Sequence, residues 1–126
     1  MQKDEIVIEL LNAANQHGLI PTLGEVFGPC VKVSMAYSKR ACETKIDELE
    51  FSVRANNSMK RAGIFTVGEI IGLISTGELA HLRNLGKKTE NEIKTKLLQI
   101  GYDGLNEIEK REFFYDLIEK NYRTNQ

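Results

Sequence analysis

Apolar positions recur along most of the chain at helical spacing, with Gly and Pro as punctuation. Residues 4–17 place Ile6, Ile8, Leu10, Leu11 and Ala14 on an apolar side, and Gly18 is a natural stop. "LIPTLGEVFGPC" has two prolines and two glycines, which predicts short helical turns. "VKVSMAYSKRACETK" fits strand or helix, and helix is the preferred reading. "IDELEFS" reads as an extended or irregular lead-in. Ser52 is placed to cap a helix over about 53–62, ended by Gly63. Thr66 and Glu69 have capping-box spacing ahead of "VGEIIGLIS". Thr76 is expected to cap a short third helix through "GELAHL". A fourth helix is expected from Lys87 to Ile100, stopping at Gly101, with Ile93, Leu97 and Ile100 on its buried stripe. On it Glu90 would face Lys94, and Glu92 would face Lys96. Asn106 and Glu109 then cap a last helix over about 106–121, with Ile108, Phe114, Leu117 and Ile118 as its apolar side.

This pattern predicts an all-α fold: a compact bundle of short helices over 46–104, with helical additions at 1–45 and 105–126. The length of 126 residues fits one domain, or a small domain with extensions, and 41% hydrophobic content is enough for a core. No apolar run approaches a membrane span, and "MQKDEIVIELL" is too acidic for a secretory signal. Cys30 and Cys42 lack metal spacing; a disulfide between them is open, but free thiols of a reducing cytosol are the preferred reading. His17 and His81 stand apart from other ligand types, so no metal site is expected. No Ser/His/Asp or Cys/His arrangement, P-loop or Rossmann glycine pattern is present, so no catalytic residue or cofactor is assigned. Phe113, Phe114, Tyr115 and Tyr122 read as packing.

A net charge of −1 predicts no global attraction to nucleic acid, so any electrostatic site must come from local segregation. Residues 46–104 hold eight basic and eight acidic side chains, yet Asp47, Glu48 and Glu50 cluster before the first helix of that segment. Arg54, Lys60 and Arg61 follow, and Arg83, Lys87, Lys88, Lys94 and Lys96 surround the fourth helix. In "RNLGKKTENEIKTKL", Leu85 can anchor a turn and Gly86 lets a ligand approach the backbone. The helix start beyond it leaves amides from about Lys87 to Glu90 unpaired, and these favour an anion. Two readings stand here: a solvated helix start, or a grip on a nucleic-acid phosphate.

The ordered set "ELEFSVRANNSMKRAGI", "TVGEI" and "LRNLGKKTENEIK" resembles the C-terminal domain of the bacterial RNA polymerase alpha subunit over roughly residues 46–104. The resemblance implies helix-hairpin-helix elements and a non-catalytic module. It would bind the minor groove of A/T-rich double-stranded DNA and contact RNA polymerase, sigma factor or transcription regulators. Carried over by position, the implied DNA contacts are Arg54, Asn57, Ser58, Lys60, Gly86, Lys87, Lys88 and Thr89, with Glu92 a weaker candidate. Asp47, Glu48 and Glu50 match the acidic patch that faces sigma. The large alpha N-terminal domain and the flexible linker have no counterpart, so a stand-alone, cytoplasmic relative of bacterial or phage origin is expected. A protein-interaction module or decoy without DNA binding is the alternative. A nuclease or repair accessory ranks below both, since no clustered carboxylates suggest a metal site.

Overall fold

The computed structural model describes residues 2–28, 31–82 and 85–122. Its helices are α1 Lys3–His17, α2 Leu19–Phe27, α3 Lys39–Glu43, α4 Val53–Arg61, α5 Val67–Thr76, α6 Lys87–Asp103 and α7 Glu107–Tyr122. Two single 3-10 turns, Ile46–Glu48 and Leu79–His81, complete the regular structure, and there is no strand among the described residues. The fold is all-α, as the hydrophobic spacing predicts. No helix of the described residues is long and apolar enough to cross a membrane.

The chain divides into two compact units, Tyr37–Leu98 and the pair of segments Met1–Ala36 and Gln99–Gln126. The first unit thus begins nine residues ahead of Ile46, where the sequence pattern sharpens. The cause is visible at Tyr37, whose hydroxyl donates to the Leu97 carbonyl of α6 at 2.8 Å. Burial pushes that phenol up to about 12, with Cys42 adding to the shift.

In the Tyr37–Leu98 unit the core is Ile46, Phe51, Ala55, Met59, Ile64, Val67, Ile70, Leu79, Ile93 and Leu97, with Leu85 packed against it. Ser38 caps α3 by accepting from the Ala41 amide at 3.1 Å. α3 lies close on α5 because Gly68 has no side chain: a Cβ there would stand 3.1 Å from the Cys42 carbonyl oxygen. The predicted Thr66–Glu69 capping box forms, with the Thr66 amide donating to Glu69 at 3.0 Å and the Glu69 amide to Thr66 Oγ1 at 3.3 Å. These donors hold the Glu69 carboxyl below its usual range, the Phe65 amide foremost.

In the second unit α1 packs on α2 and α7. Its buried residues include Val7, Leu10, Ala14, Leu19, Leu23, Tyr102, Phe113, Phe114, Leu117 and Ile118. Tyr102 meets Phe113 and Phe114 edge-on, at ring separations of 5.5 and 5.8 Å. The capping pair at α7 is as predicted: Asn106 and Glu109 exchange amide-to-side-chain bonds at 2.9 and 2.8 Å.

Several expectations are corrected. Pro21 and Gly24 lie inside α2, a nine-residue helix rather than separate turns. Pro21 is tolerated because it falls in the first turn, where its missing N–H has no helical acceptor. "VKVSM" is neither helix nor strand. Asn121 clamps it instead, accepting from the Lys32 amide at 2.9 Å and donating to the Lys32 carbonyl at 3.0 Å. Thr76 ends α5 rather than capping a third helix; its hydroxyl bonds back to the Gly72 and Leu73 carbonyls, and Gly77 (φ 78°) closes the helix. The third helix is only the turn at Leu79–His81. α6 runs through Gly101 to Asp103, since Tyr102 is buried and carries the pattern on. Ile8 and Ile108 are exposed, at 48% and 70%, because Val7 and the Phe113–Phe114 pair take the inward positions. The reading of Cys30 lies outside the described residues; Cys42 is a free thiol.

The glycines of α5 supply a stability test. Gly72→Ala, where a new Cβ meets nothing within 4 Å, should stabilise by about 0.5–1 kcal/mol through helix propensity. Gly68→Val should destabilise by about 1–3 kcal/mol by driving α3 off α5. Urea unfolding of both variants against the parent reads the two signs.

Candidate nucleic-acid interface

The interface grows from the cap of α4. Ser52 Oγ accepts from the Ala55 amide at 3.1 Å and donates to Glu92 Oε1 at 2.8 Å. The Ser52 amide donates to the other carboxylate oxygen, Oε2, also at 2.8 Å. One carboxylate on the second turn of α6 therefore takes two charge-assisted bonds from the first residue of α4's cap. This fixes the start of α4 beside the start of α6. It also corrects the expected Glu92–Lys96 pair: the carboxylate is turned to Ser52.

Arg54 follows two residues after the cap, exposed, and makes no ion pair among the described residues. Asn57 is exposed and Ser58 half-buried. At i+3 and i+4 from Arg54 they share its helix face. Lys60 lies roughly 120° around α4 from Arg54. It pairs with Asp47 at 3.2 Å. The candidate DNA lysine and a candidate protein-contact acid are thus joined in one ion pair. Glu48 turns back to accept from the Lys45 amide at 3.4 Å, while Glu50 is exposed.

At α6 the first helical hydrogen bond runs from the Glu90 amide to the Gly86 carbonyl at 2.9 Å. The amides of Lys87, Lys88 and Thr89 precede it and have no helical acceptor four residues back. Gly86 is exposed, and a Cβ built there would meet nothing within 4 Å, so the space over this backbone is open. Thr89 is buried, which withdraws its side chain from the surface. Glu90 is buried too, at 5% exposure, between Lys94 at 2.7 Å and Lys87 at 3.8 Å. The Lys94 bond, more than any other contact, holds its carboxyl below the usual range against the opposing effect of burial. Lys87 and Lys94 are therefore partly neutralised, and Lys88 is the exposed cation at this helix start without an ion pair among the described residues. Arg83, counted in the basic cluster, lies outside the described residues.

The arrangement offers one guanidinium, one free ammonium and a set of helix-start amides on two elements fixed to each other. No group of His, Cys, Asp or Glu suited to a metal occurs among the described residues. Sequence spacing found the cap at Ser52 but not its partner 40 residues on. Glu92 reads equally well as one half of an i,i+4 surface pair.

A profile of the C-terminal domain of the bacterial RNA polymerase alpha chain matches residues 35–99, just over half of the chain. The chain belongs to that family, and the Tyr37–Leu98 unit is its transcription-related module. The DNA-directed RNA polymerase subunit alpha of Clostridium perfringens is 46% identical over 63 residues, which are 50% of this chain and 20% of that protein. The same subunit of Symbiobacterium thermophilum is 48% identical over 59 residues, 47% of this chain and 18% of that protein. That of Syntrophomonas wolfei is 48% identical over 58 residues, 46% and 18% of the two chains. The matched segment thus spans about a fifth of these relatives. No solved structure matches the chain significantly.

Two outcomes test the geometry. Ser52→Ala and Glu92→Gln should each destabilise by about 1–2 kcal/mol, and the double variant should fall short of their sum by more than about 0.5 kcal/mol. Glu90 should contribute stability above the ordinary glutamate range near pH 4.5, a contribution lost as pH falls through its lowered folded value. The stability gap between the parent and Glu90→Gln should therefore narrow on acidification; a gap constant down to about pH 3 would contradict the lowered carboxyl.

Proposed function

We propose that the Tyr37–Leu98 unit binds double-stranded DNA without catalysing a reaction. Arg54 enters the minor groove of an A/T-rich tract, and the start of α6 holds the phosphate backbone. The observation that supports this reading is the Glu92–Ser52 junction, which ties the cap of α4 to the second turn of α6. The unit's charge agrees: eleven basic against eight acidic residues over 37–98, in a chain whose total is −1. A narrow A/T groove has enhanced negative potential and attracts an inserted arginine. Asn57 and Ser58 reach the groove wall on the same face. Lys87 and Lys88 supply charge to a phosphate, and Gly86 and Thr89 supply open backbone. Lys60 joins them once it leaves Asp47. Asp47, Glu48 and Glu50 form the edge offered to RNA polymerase, sigma factor or a regulator, in the bacterial or phage-infected cytoplasm.

A second reading, a protein-interaction module or decoy that does not bind DNA, draws support from the Asp47–Lys60 pair. There a protein-facing acid already occupies one of the DNA-facing cations.

Fluorescence anisotropy with A/T-rich and G/C-rich duplexes at low salt separates the two. DNA binding predicts preference for the A/T duplex, steep weakening with salt, and a loss of roughly tenfold or more in Arg54→Ala together with the A/T preference. Lys88→Ala should weaken both duplexes alike. No duplex binding at low salt would leave the interaction reading in its place.

A further inference from the structure

The segments outside the Tyr37–Leu98 unit carry the opposite charge to it. Met1–Ala36 and Gln99–Gln126 together hold ten acidic and six basic residues, a net of −4. Within this unit α1 and α7 run antiparallel along one edge. Lys3 pairs with Glu119 at 3.1 Å, and the Tyr115 hydroxyl donates to Asp4. Ile8 lies four residues after Asp4, and Ile108 seven before Tyr115. Both spacings return to the same helix face. Because the helices are antiparallel, both isoleucines lie on the same side of the Asp4–Tyr115 contact, about one helical turn apart along the axis. They are the exposed apolar residues of that strip. Glu5 flanks Ile8, and Glu112 follows Ile108 by one turn. Arg111 lies between Ile108 and Glu112 beside Lys110, whose ammonium sits over the Tyr102 ring at 5.1 Å.

Single exposed isoleucines are ordinary on protein surfaces. Two on one strip, edged by carboxylates and in a unit of net −4, form a surface with a definite complement. We propose that the α1–α7 edge is a docking surface for a cationic amphipathic helix of a partner protein. The partner's apolar stripe lies over Ile8 and Ile108, and its basic flanks meet Glu5, Glu112 and their neighbours. The sign of the unit repels nucleic acid and a second copy of the same face, which leaves a basic partner as the occupant. This surface lies outside the family segment and acts independently of whether the Tyr37–Leu98 unit binds DNA.

The test uses the full chain and a fluorescein-labelled Leu/Lys peptide with leucines at helical spacing. Saturable binding is expected, weakened by salt and absent for a Leu/Glu peptide of the same pattern. The double variant Ile8→Asn, Ile108→Asn, whose helical circular dichroism should be unchanged because both sites are exposed, should lose roughly tenfold or more in affinity. Unchanged binding in that variant, or no binding by the parent, overturns the proposal. So does sensitivity that tracks Asp47→Asn, Glu48→Gln and Glu50→Gln instead. A dimer seen by light scattering and abolished by the double variant would assign the face to self-association, against the proposal.

Discussion

Two hydrogen bonds from Ser52 to the Glu92 carboxylate join the two helix starts on which the DNA-binding proposal depends. Each participant serves two purposes. The Ser52 hydroxyl caps α4 through the Ala55 amide while donating to Glu92, so the helix start and the inter-helix contact are one feature. A carboxylate near a helix N-terminus is favoured by the helix dipole, and here that carboxylate comes from another helix. Ala55 and Met59 on α4 and Ile93 and Leu97 on α6 bury the apolar sides of the same pair. The polar junction then sets their relative placement, which packing alone tolerates more loosely.

Around this junction the charges are partly cancelled rather than free. Glu90 takes up Lys94 and Lys87, and Asp47 takes up Lys60. Of the described basic residues of that surface, Arg54, Arg61, Lys88 and Lys96 keep no ion-pair partner, beside the helix-start amides. That is a sparse set, suited to a groove and a backbone rather than to a broad polyanion. The exposed Asp47–Lys60 pair is worth only about 0–1 kcal/mol, so a phosphate or a partner can exchange with it.

Much of the fold was legible because it is written locally. Capping residues at Ser52, Thr66 and Asn106 mark three helix starts at the observed places, since a cap needs only residues three positions apart. The failures lie where a distant contact decides. Gly101 looks like a stop, yet Tyr102 is buried beyond it. Ile8 and Ile108 look like core residues until Val7, Phe113 and Phe114 take the inward positions. "VKVSM" has no pattern of its own because Asn121 supplies its hydrogen bonds from 89 residues away. The candidate site follows the same division. Its residues could be named from the order of short segments, but the Glu92–Ser52 bond, the Asp47–Lys60 pair and the burial of Thr89 belong to the folded chain alone.

The central claim is that the starts of α4 and α6 form one DNA-facing surface. The most direct measurement is an amide chemical-shift titration of the isotope-labelled full chain with an A/T-rich duplex. The account predicts that the amides of residues 53–58 and 86–89 shift together along a single isotherm, with those of α1 and α7 unmoved. Shifts confined to one of the two helix starts, or centred on Asp47–Glu50, would contradict it.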